Sequence, residues 1–183
     1  MGFYSTLTSD KLNGSYAFTN AFSRYYLPKI KNNAGYGCLF GIKFYSYNTE
    51  IAYFGTNYKT EFKNQTSHNA HDWHINWNNK FCLRERNRTQ PYLFTGLGLE
   101  RIKITESAYF RDEKKARDAL YNGLDIEVGI GLRYYLSEKV TIRSELSYKS
   151  TGFTGVDGSE FNEPLYTNSF KFLLGTNYNF GKL

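Results

Sequence analysis

The chain has 183 residues and a formal net charge of +6, and Tyr and Phe, with 17 and 15 copies, supply much of its apolar surface. At this length we expect one domain, residues 1–183, able to bury a core without disulfides. A transmembrane helix is excluded because no run of about 18 apolar residues exists, and the scattered basic residues argue against nucleic acid as a partner.

The composition combines many aromatic side chains with a polar average. Aromatic residues make up 19% of the chain, yet the mean hydropathy is -0.58. A soluble protein with so many aromatic residues would normally contain more Leu, Val and Ile. A membrane-spanning β-barrel needs only half of each strand to be apolar and places Tyr, Phe and Trp at the membrane interfaces. The composition therefore fits a small barrel.

Seven stretches alternate between apolar and polar residues, as strands with one apolar face do. The last is the clearest, with Phe170 and Phe172 on one parity and Ser169 and Lys171 on the other. In chain order, the predicted strands are 34–45, 50–62, 70–83, 91–105, 122–136, 140–150 and 168–180. The apolar parity of the second strand is Ala52, Phe54, Thr56, Tyr58 and Phe62. Such segments, separated by polar turns, are typical of a barrel that is apolar outside and polar inside.

An eighth strand must precede residue 34, because closed bacterial barrels have an even number of strands. Gly14–Tyr26 is the preferred candidate and Gly2–Thr8 is the rival; the sequence does not separate them. We therefore predict an all-β fold, an eight-stranded antiparallel up-and-down transmembrane β-barrel. Its clear strands lie over about 34–180 and its first strand lies within 2–26.

The connections alternate in length when they are counted back from the C-terminus. Those over 151–167 and 106–121 are long, 63–69 is intermediate, and 137–138, 84–90 and 46–49 are short. Outer-membrane barrels show this asymmetry, with short periplasmic turns and longer outer loops. Both termini would then be periplasmic. The first residues, Met1-Gly2-Phe3, lack the features of a signal peptide, so we expect a mature chain from which a leader has been removed.

The two cysteines are predicted not to pair. Cys38 lies on the apolar parity of its strand and Cys82 on the polar parity. They should point to opposite sides of the barrel wall, which is incompatible with the short Cβ separation of a disulfide.

All three histidines lie close together, at His68, His71 and His74. In a strand, His68 and His74 would share a face about 20 Å apart, and His71 would face the other way. Three converging metal ligands do not follow from this spacing, and Ser67 or Ser107 forms no catalytic pattern with His74. We interpret the group as part of an interfacial belt of His and aromatic residues, and we predict no metal site and no catalytic residue.

Three segments resemble the small eight-stranded outer-membrane barrels of the OmpA, OmpX and Ail type. They are Pro91–Leu99, Val128–Ser137 and the closing strand Ser169–Phe180. The resemblance covers about residues 34–180 and implies the same architecture in a Gram-negative outer membrane. One departure is that this chain continues beyond Phe180 through Gly181, Lys182 and Leu183.

Charges of both signs share the inward parity of the predicted strands. They are Lys43, Glu100, Asp125, Glu127, Arg133, Arg143, Glu145 and Lys171. The interior of an eight-stranded barrel is narrow enough for side chains to fill, and charges buried there must be paired and hydrogen-bonded. We interpret this set as a network that plugs the lumen. A gated ion path that opens when the pairs rearrange is the alternative.

Arg101 and Lys103 interrupt the apolar parity at the outer end of their strand, where cations can reach lipopolysaccharide phosphates. Trp73 and Trp77 are expected to anchor the same interface.

We predict a monomeric outer-membrane protein without a cofactor, in contact with membrane lipid and lipopolysaccharide, with a structural role or a surface ligand bound by its loops. The alternatives are a lipid A-modifying enzyme, a narrow gated channel, and a soluble lipocalin-like carrier with its aromatic residues inside.

Overall fold

The computed structural model describes residues 2–8, 13–14, 33–61, 67–83, 88–108, 117–157 and 165–180. The strands are β1 (Gly2–Thr8), β2 (Asn13–Gly14), β3 (Asn33–Phe44), β4 (Tyr47–Glu61), β5 (Ser67–Cys82), β6 (Thr89–Ala108), β7 (Arg117–Tyr135), β8 (Val140–Asp157) and β9 (Leu165–Tyr178). Within these residues, no helix is long and apolar enough to cross a membrane.

The strands from β3 to β9 pair with their neighbours in chain order, and every pairing is antiparallel. β1 lies between the first and the last of them, with Gly2 opposite Gly37 of β3 and Gly175 of β9. Among the described residues, the short β2 pairs with the start of β9 and with no other strand. β1 and β3–β9 therefore form an eight-stranded antiparallel up-and-down β-barrel, as the alternation predicts.

The first strand of the barrel is Gly2–Thr8, the rival of the two candidates. The preferred candidate, Gly14–Tyr26, does not fill this position. Its first residue, Gly14, pairs with Leu165 at the start of β9, and residues 15–26 lie outside the described part of the chain. The composition of the two segments could not separate them, because strand position depends on which edges remain to be paired.

All seven strands predicted from the alternation are present, but several extend further than predicted. β6 runs to Ala108 and β7 begins at Arg117, inside the stretch read as the loop 106–121. β8 runs to Asp157 and β9 begins at Leu165, inside the predicted loop 151–167. Polar outward residues such as Lys103 on β6 and Asn168 on β9 interrupt the apolar alternation, whereas backbone pairing continues past them.

The first turn is tighter than predicted. Phe44 of β3 pairs with Tyr47 of β4, so Tyr45 and Ser46 form the connection rather than residues 46–49. Tyr45 has a φ of 47°, in the left-handed region that favours glycine in two-residue hairpins. Tyr45 is therefore held in a backbone conformation that is energetically unfavourable for a residue with a bulky side chain.

Apolar side chains cover the outside of the barrel. They include Phe40 and Ile42 on β3, Ile51 on β4, Trp77 on β5, Leu97 on β6, Ile126 and Ile130 on β7, Leu146 on β8 and Phe172 on β9. From Leu124 on β7 to Leu136, the residue that follows the strand, every outward side chain is aliphatic or aromatic and exposed. That stretch measures about 40 Å along the strand, or roughly 30 Å along the barrel axis at a tilt near 40°. We call this surface the apolar belt.

The parity assigned to the second predicted strand is wrong. Ala52 and Phe54 of β4 are buried in the lumen, where they pack with Leu173, while Ile51 and Tyr53 face outward. The ring of Phe54 lies directly over Gly37, and the Lys171 ammonium lies 4.7 Å from its centroid. Both parities of this strand carry apolar residues, so the sequence pattern could not distinguish the two faces.

Candidate functional site

The lower half of the lumen, toward the short turns, holds a cluster of ion pairs that spans the barrel. Arg143 Nη1 of β8 donates to both carboxylate oxygens of Glu50 on β4, at 3.0 and 3.2 Å. The Lys80 ammonium of β5 contacts Glu50 at 2.5 Å and also pairs with Glu145 of β8. The Tyr92 hydroxyl donates to Glu145 at 2.6 Å. We call these five residues the lower cluster; each is nearly inaccessible to solvent.

A second cluster centres on the Glu127 carboxylate of β7. Lys171 of β9 contacts it at 2.6 Å, and the Asn76 side-chain amide of β5 donates to it at 2.6 Å. Ser147 of β8 also donates to Glu127. Side chains from three other strands therefore contact one buried carboxylate, which satisfies the requirement that a charge taken out of water be paired and hydrogen-bonded.

A third pair lies further along β8, on the side of the long connections. The Lys149 ammonium donates to Glu100 of β6 at 2.6 Å, and the Thr151 hydroxyl donates to the other oxygen of Glu100. His74 of β5 sits at the register position directly opposite Glu100 and stacks on Phe54, with ring centroids 4.9 Å apart. Buried polar side chains thus occupy successive levels of the lumen.

Three residues assigned to the lumen network have different surroundings. Arg133 is buried, with its guanidinium 5.4 Å from the Tyr92 ring centroid. Asp125 is buried, and neither of its carboxylate oxygens has a hydrogen-bond partner among the described residues. Lys43 shares the inward parity but is exposed at the end of the barrel, where its ammonium donates to the Tyr135 hydroxyl at 2.9 Å.

Glu50, Lys80 and Lys149 take part in these clusters but are missing from the predicted network. Glu50 was missed because its parity on β4 was read as the apolar, outward one. Lys80 and Lys149 lie on the polar parity of their strands, so the alternation already contained the signal that could have found them. Their cross-lumen partners could not be read from the sequence, because Glu100 lies 49 residues from Lys149, Glu145 lies 65 from Lys80, and Arg143 lies 93 from Glu50.

Two glycines of β6 make room for polar side chains inside the lumen. A Cβ added to Gly98 would collide with the Asn76 amide oxygen and with the Asp125 carboxylate, and one added to Gly96 would collide with Asn78. The register explains this, since Gly98 lies between Asn76 and Asp125 on the neighbouring strands. Asn76 and Asp125 therefore approach each other over Gly98.

The four predicted interface residues lie on the outer surface of β5 and β6. Trp73 is directly opposite Arg101, and Lys103 is opposite His71 one step further toward the long connections. The Lys103 ammonium pairs with Asp118 of β7 at 2.8 Å, with both side chains largely exposed. Trp77 lies lower in the apolar belt and its indole N–H donates to the Thr49 hydroxyl at 2.7 Å. The boundary of the belt therefore runs between Trp73 and Lys103.

Cysteine and histidine positions follow the strand parities. Cys38 is exposed and opposite the outward Tyr53, whereas Cys82 is opposite the buried Tyr92, and both thiols are free.

His71 is exposed and His74 is buried, so they occupy opposite faces. His74 lies in the lumen rather than in an interfacial belt, which corrects that part of the interpretation. Among the described residues, no three His, Cys, Asp or Glu side chains are arranged to hold a metal ion.

Solved structures of three proteins match almost the whole chain. Neisserial surface protein A (NspA) has a TM-score of 0.56 at 12% identity, covering 94% of this chain and 95% of that one. OprG from Pseudomonas aeruginosa has a TM-score of 0.56 at 14% identity, with 97% and 92% covered. Ail, the attachment invasion locus protein of Yersinia pestis, has a TM-score of 0.52 at 13% identity, with 97% and 94% covered.

The chain has the fold of the small eight-stranded outer-membrane β-barrels. No protein-family model and no curated protein sequence matches it. At identities this low, the shared feature is the barrel architecture. In a small outer-membrane barrel the apolar belt faces lipid and the buried clusters fill the lumen, so the candidate sites among the described residues are the lumen and the outer rim of the belt.

Proposed function

We propose that the protein is an integral outer-membrane β-barrel with a structural and surface-binding role and no enzymatic activity. The observation that carries this proposal is the reversed polarity of the molecule. Aliphatic and aromatic side chains are exposed on every strand from β3 to β9, while Lys80, Glu127 and Arg143 are buried inside. In water, the exposed apolar belt would be unfavourably solvated. In a bilayer, the belt contacts lipid hydrocarbon, and the buried charges pair with one another inside the lumen.

The buried clusters support a lumen that is plugged rather than conducting. Arg143 and Glu50 come from opposite walls of the barrel and touch, so their contact closes the cross-section at that level. Opening a path would require both charges to leave their partners inside a low-dielectric interior, which costs several kcal/mol, on the order of 3–5 for one broken pair. A narrow gated channel and a lipid A-modifying enzyme remain the alternatives.

The surface-binding part of the proposal rests on the connections at the outer end. The long connections between β6 and β7 and between β8 and β9 leave the barrel on the same side, and loops carried on a rigid barrel are free to vary and to bind. Among the proteins that share this fold, NspA is a surface protein and Ail is an attachment invasion locus protein. The structure of Ail has also been solved in complex with the heparin analogue sucrose octasulfate. A surface ligand is therefore proposed for the loops of this chain.

Lipopolysaccharide is the second proposed partner, at the rim formed by Trp73, Arg101 and Lys103. The indole can lie at the headgroup level while the two cations extend toward phosphates. Lys103 already has a carboxylate partner in Asp118, so a phosphate would compete with an exposed ion pair worth no more than about 1 kcal/mol.

Heat-modifiable migration tests membrane insertion. Protein refolded into detergent should run faster on a gel before boiling than after boiling, because a closed barrel stays compact in the sample buffer. Protein that shows no shift and stays monomeric without detergent would contradict the proposal and favour the soluble carrier. Two further measurements address the alternatives. The channel predicts conductance in planar bilayers, and the enzyme predicts an altered mass of lipid A after expression. We expect no conductance and an unaltered lipid A mass.

Binding of lipopolysaccharide is tested with matched charge variants. Adding lipopolysaccharide to the refolded protein should raise the unfolding midpoint, and Arg101→Gln with Lys103→Gln should remove most of that rise. Arg88→Gln with Lys139→Gln removes the same charge from the opposite end and should leave the rise intact. Equal losses in both double variants would show a general charge effect and contradict a rim site.

A further inference from the structure

Three oxygen atoms converge in the upper half of the lumen, toward the long connections, above Gly98 of β6. They are the two carboxylate oxygens of Asp125 on β7 and the side-chain amide oxygen of Asn76 on β5. All three lie within 2.8 Å of the point that a Cβ of Gly98 would occupy, and none accepts a hydrogen bond from the described residues. We call this point, with its three oxygens, the Gly98 site.

Both side chains at the Gly98 site are removed from water. Asp125 is 2% exposed and Asn76 is fully buried. A carboxylate in such surroundings needs an opposite charge or hydrogen-bond donors. The Asn76 oxygen supplies neither, because it is itself an acceptor. The Gly98 site therefore combines a buried negative charge with a third oxygen that repels it.

The orientation of the Asn76 amide does not remove this conflict. Its nitrogen donates to Glu127 at 2.6 Å, which directs the oxygen toward Asp125. Turning the amide by half a rotation would give Asp125 a donor but would present the oxygen to the Glu127 carboxylate. One of the two carboxylates faces the amide oxygen in either orientation. A positively charged species between Asp125 and Asn76 resolves the conflict in the orientation observed.

The cations near the Gly98 site already have carboxylate partners. Lys149 donates to Glu100 at 2.6 Å, and Lys171 contacts Glu127 at 2.6 Å. Above the lower cluster, the charged groups that the structure describes as buried or half-buried on the inward face are Lys149, Lys171, Asp72, Glu100, Asp125 and Glu127. With His74 counted as neutral, four carboxylates against two ammonium groups leave two negative charges without a counter-charge.

We propose that Asp125 and Asn76 bind a divalent cation over Gly98, and that calcium is the ion that fits best. Carboxylate and amide oxygens are the ligands that Ca²⁺ takes, in flexible geometries that water molecules complete, whereas Mg²⁺ demands a near-ideal octahedron. Two positive charges match the two that are missing, and no histidine is required. The inference goes beyond the proposed function and depends on the packed lumen rather than on lipid.

Calcium-dependent stability of the full chain tests the proposal. The protein is refolded in detergent micelles with a chelator, and urea unfolding is measured before and after addition of CaCl₂, with KCl of equal ionic strength as the salt control. A site with one carboxylate ligand should bind weakly, with a Kd of about 1 mM. At about 10 mM CaCl₂ the unfolding equilibrium constant should then fall about tenfold, and KCl should have little effect.

Two variants assign the response to the Gly98 site. Asp125→Asn should lose most of the calcium response, although in chelator it should be at least as stable as the parent, since it carries no unpaired charge there. Asp118→Asn removes an exposed carboxylate from the outer face of the same strand and should keep the full response. Equal responses of the parent and Asp125→Asn would place the cation elsewhere and overturn the proposal.

A second measurement locates the ion in the parent chain alone, so it does not depend on refolding of a variant. Mn²⁺, a paramagnetic substitute for Ca²⁺ at oxygen ligands, should broaden the amide resonances of Asn76, Gly98 and Asp125 first, and excess CaCl₂ should restore them. Broadening that spares these residues, or no stabilisation by CaCl₂, would overturn the proposal in favour of a proton or a water molecule between the oxygens. Failure of membrane insertion would appear separately, as an absent heat-modifiable shift.

Discussion

Arg143 and Glu50 meet in the centre of the lumen although they lie four strands apart around an eight-stranded ring. The Arg143 guanidinium on β8 donates to the Glu50 carboxylate on β4 at 3.0 Å, and both side chains are almost inaccessible to solvent. The contact joins opposite walls directly. It therefore ties residues 93 positions apart in the sequence and makes the wall geometry depend on the charge pairing inside.

Glu50→Gln should destabilise the barrel strongly. The substitution leaves the Lys80 and Arg143 cations sharing only Glu145 in the lower cluster. Breaking a buried pair by removing one partner costs about 3–5 kcal/mol. The measurement is the free energy of unfolding in urea, followed by tryptophan fluorescence in detergent micelles. Glu138→Gln, at an exposed turn, is the control and should have little effect; similar values for both variants would contradict the role of the cluster.

Asp125→Asn should leave the stability unchanged or raise it by about 1–2 kcal/mol, because it removes a buried charge whose oxygens accept no hydrogen bond from the described residues. Glu127→Gln is the matched comparison two residues along the same face. Glu127 is contacted by Lys171, Asn76 and Ser147, so its neutralisation should cost several kcal/mol, about 3–5. Both are measured by urea unfolding, and an equal loss in the two variants would show that Asp125 is paired as firmly as Glu127.

Gly129→Ala should destabilise the protein by about 1–3 kcal/mol through overpacking. An added Cβ would lie 2.6 Å from the Phe94 ring and 2.6 Å from the Leu146 carbonyl oxygen, and a backbone atom cannot move aside easily. Gly152→Ala is the control, since a Cβ there meets nothing within 4 Å. The midpoint of the heat-modifiable shift should fall for Gly129→Ala and stay constant for Gly152→Ala. A fall in the control alone would contradict the packing of the lumen.

Arginine substitutions along β7 should show a dependence on membrane depth. Ile130 lies in the middle of the apolar belt, whereas Asn122 lies at its rim on the same strand and the same face. Arg at the bilayer midplane of a barrel costs about 2–4 kcal/mol and near the interface about 0–1. Unfolding from phospholipid vesicles should therefore be easier for Ile130→Arg than for Asn122→Arg. Equal effects would indicate that this face does not contact lipid.

Tyr45→Asn should be tolerated or mildly stabilising. The left-handed φ of 47° at Tyr45 disfavours a bulky side chain, and Asn accepts this conformation more readily. We expect a gain of up to about 1 kcal/mol, measured by urea unfolding in micelles. Ser46→Asn, at the neighbouring turn residue, serves as the control and should give no gain. A loss at position 45 would show that the exposed Tyr ring contributes more at the interface than its backbone conformation costs.

The sequence by itself determined the barrel, because alternation along a strand is a local property. Phe170 and Phe172 must face the opposite way from Ser169 and Lys171 in any extended chain, and seven such segments with polar connections leave few other architectures. It also determined that Glu127, Arg143, Glu145 and Lys171 share the inward parity. The rule fails where both parities of a strand are apolar, as around Ala52 and Tyr53, and that failure removed Glu50 from the predicted set.

Only the tertiary structure decided which charges meet and where the wall closes. The pairing of Arg143 with Glu50 depends on barrel diameter and strand register, and neither is encoded in the neighbours of either residue. The choice of Gly2–Thr8 as the first strand follows from the two sheet edges, β3 and β9, that its backbone pairs with once the other strands are in place. Side-chain alternation is set by local geometry, whereas closure is set by the hydrogen-bond requirements of the whole sheet.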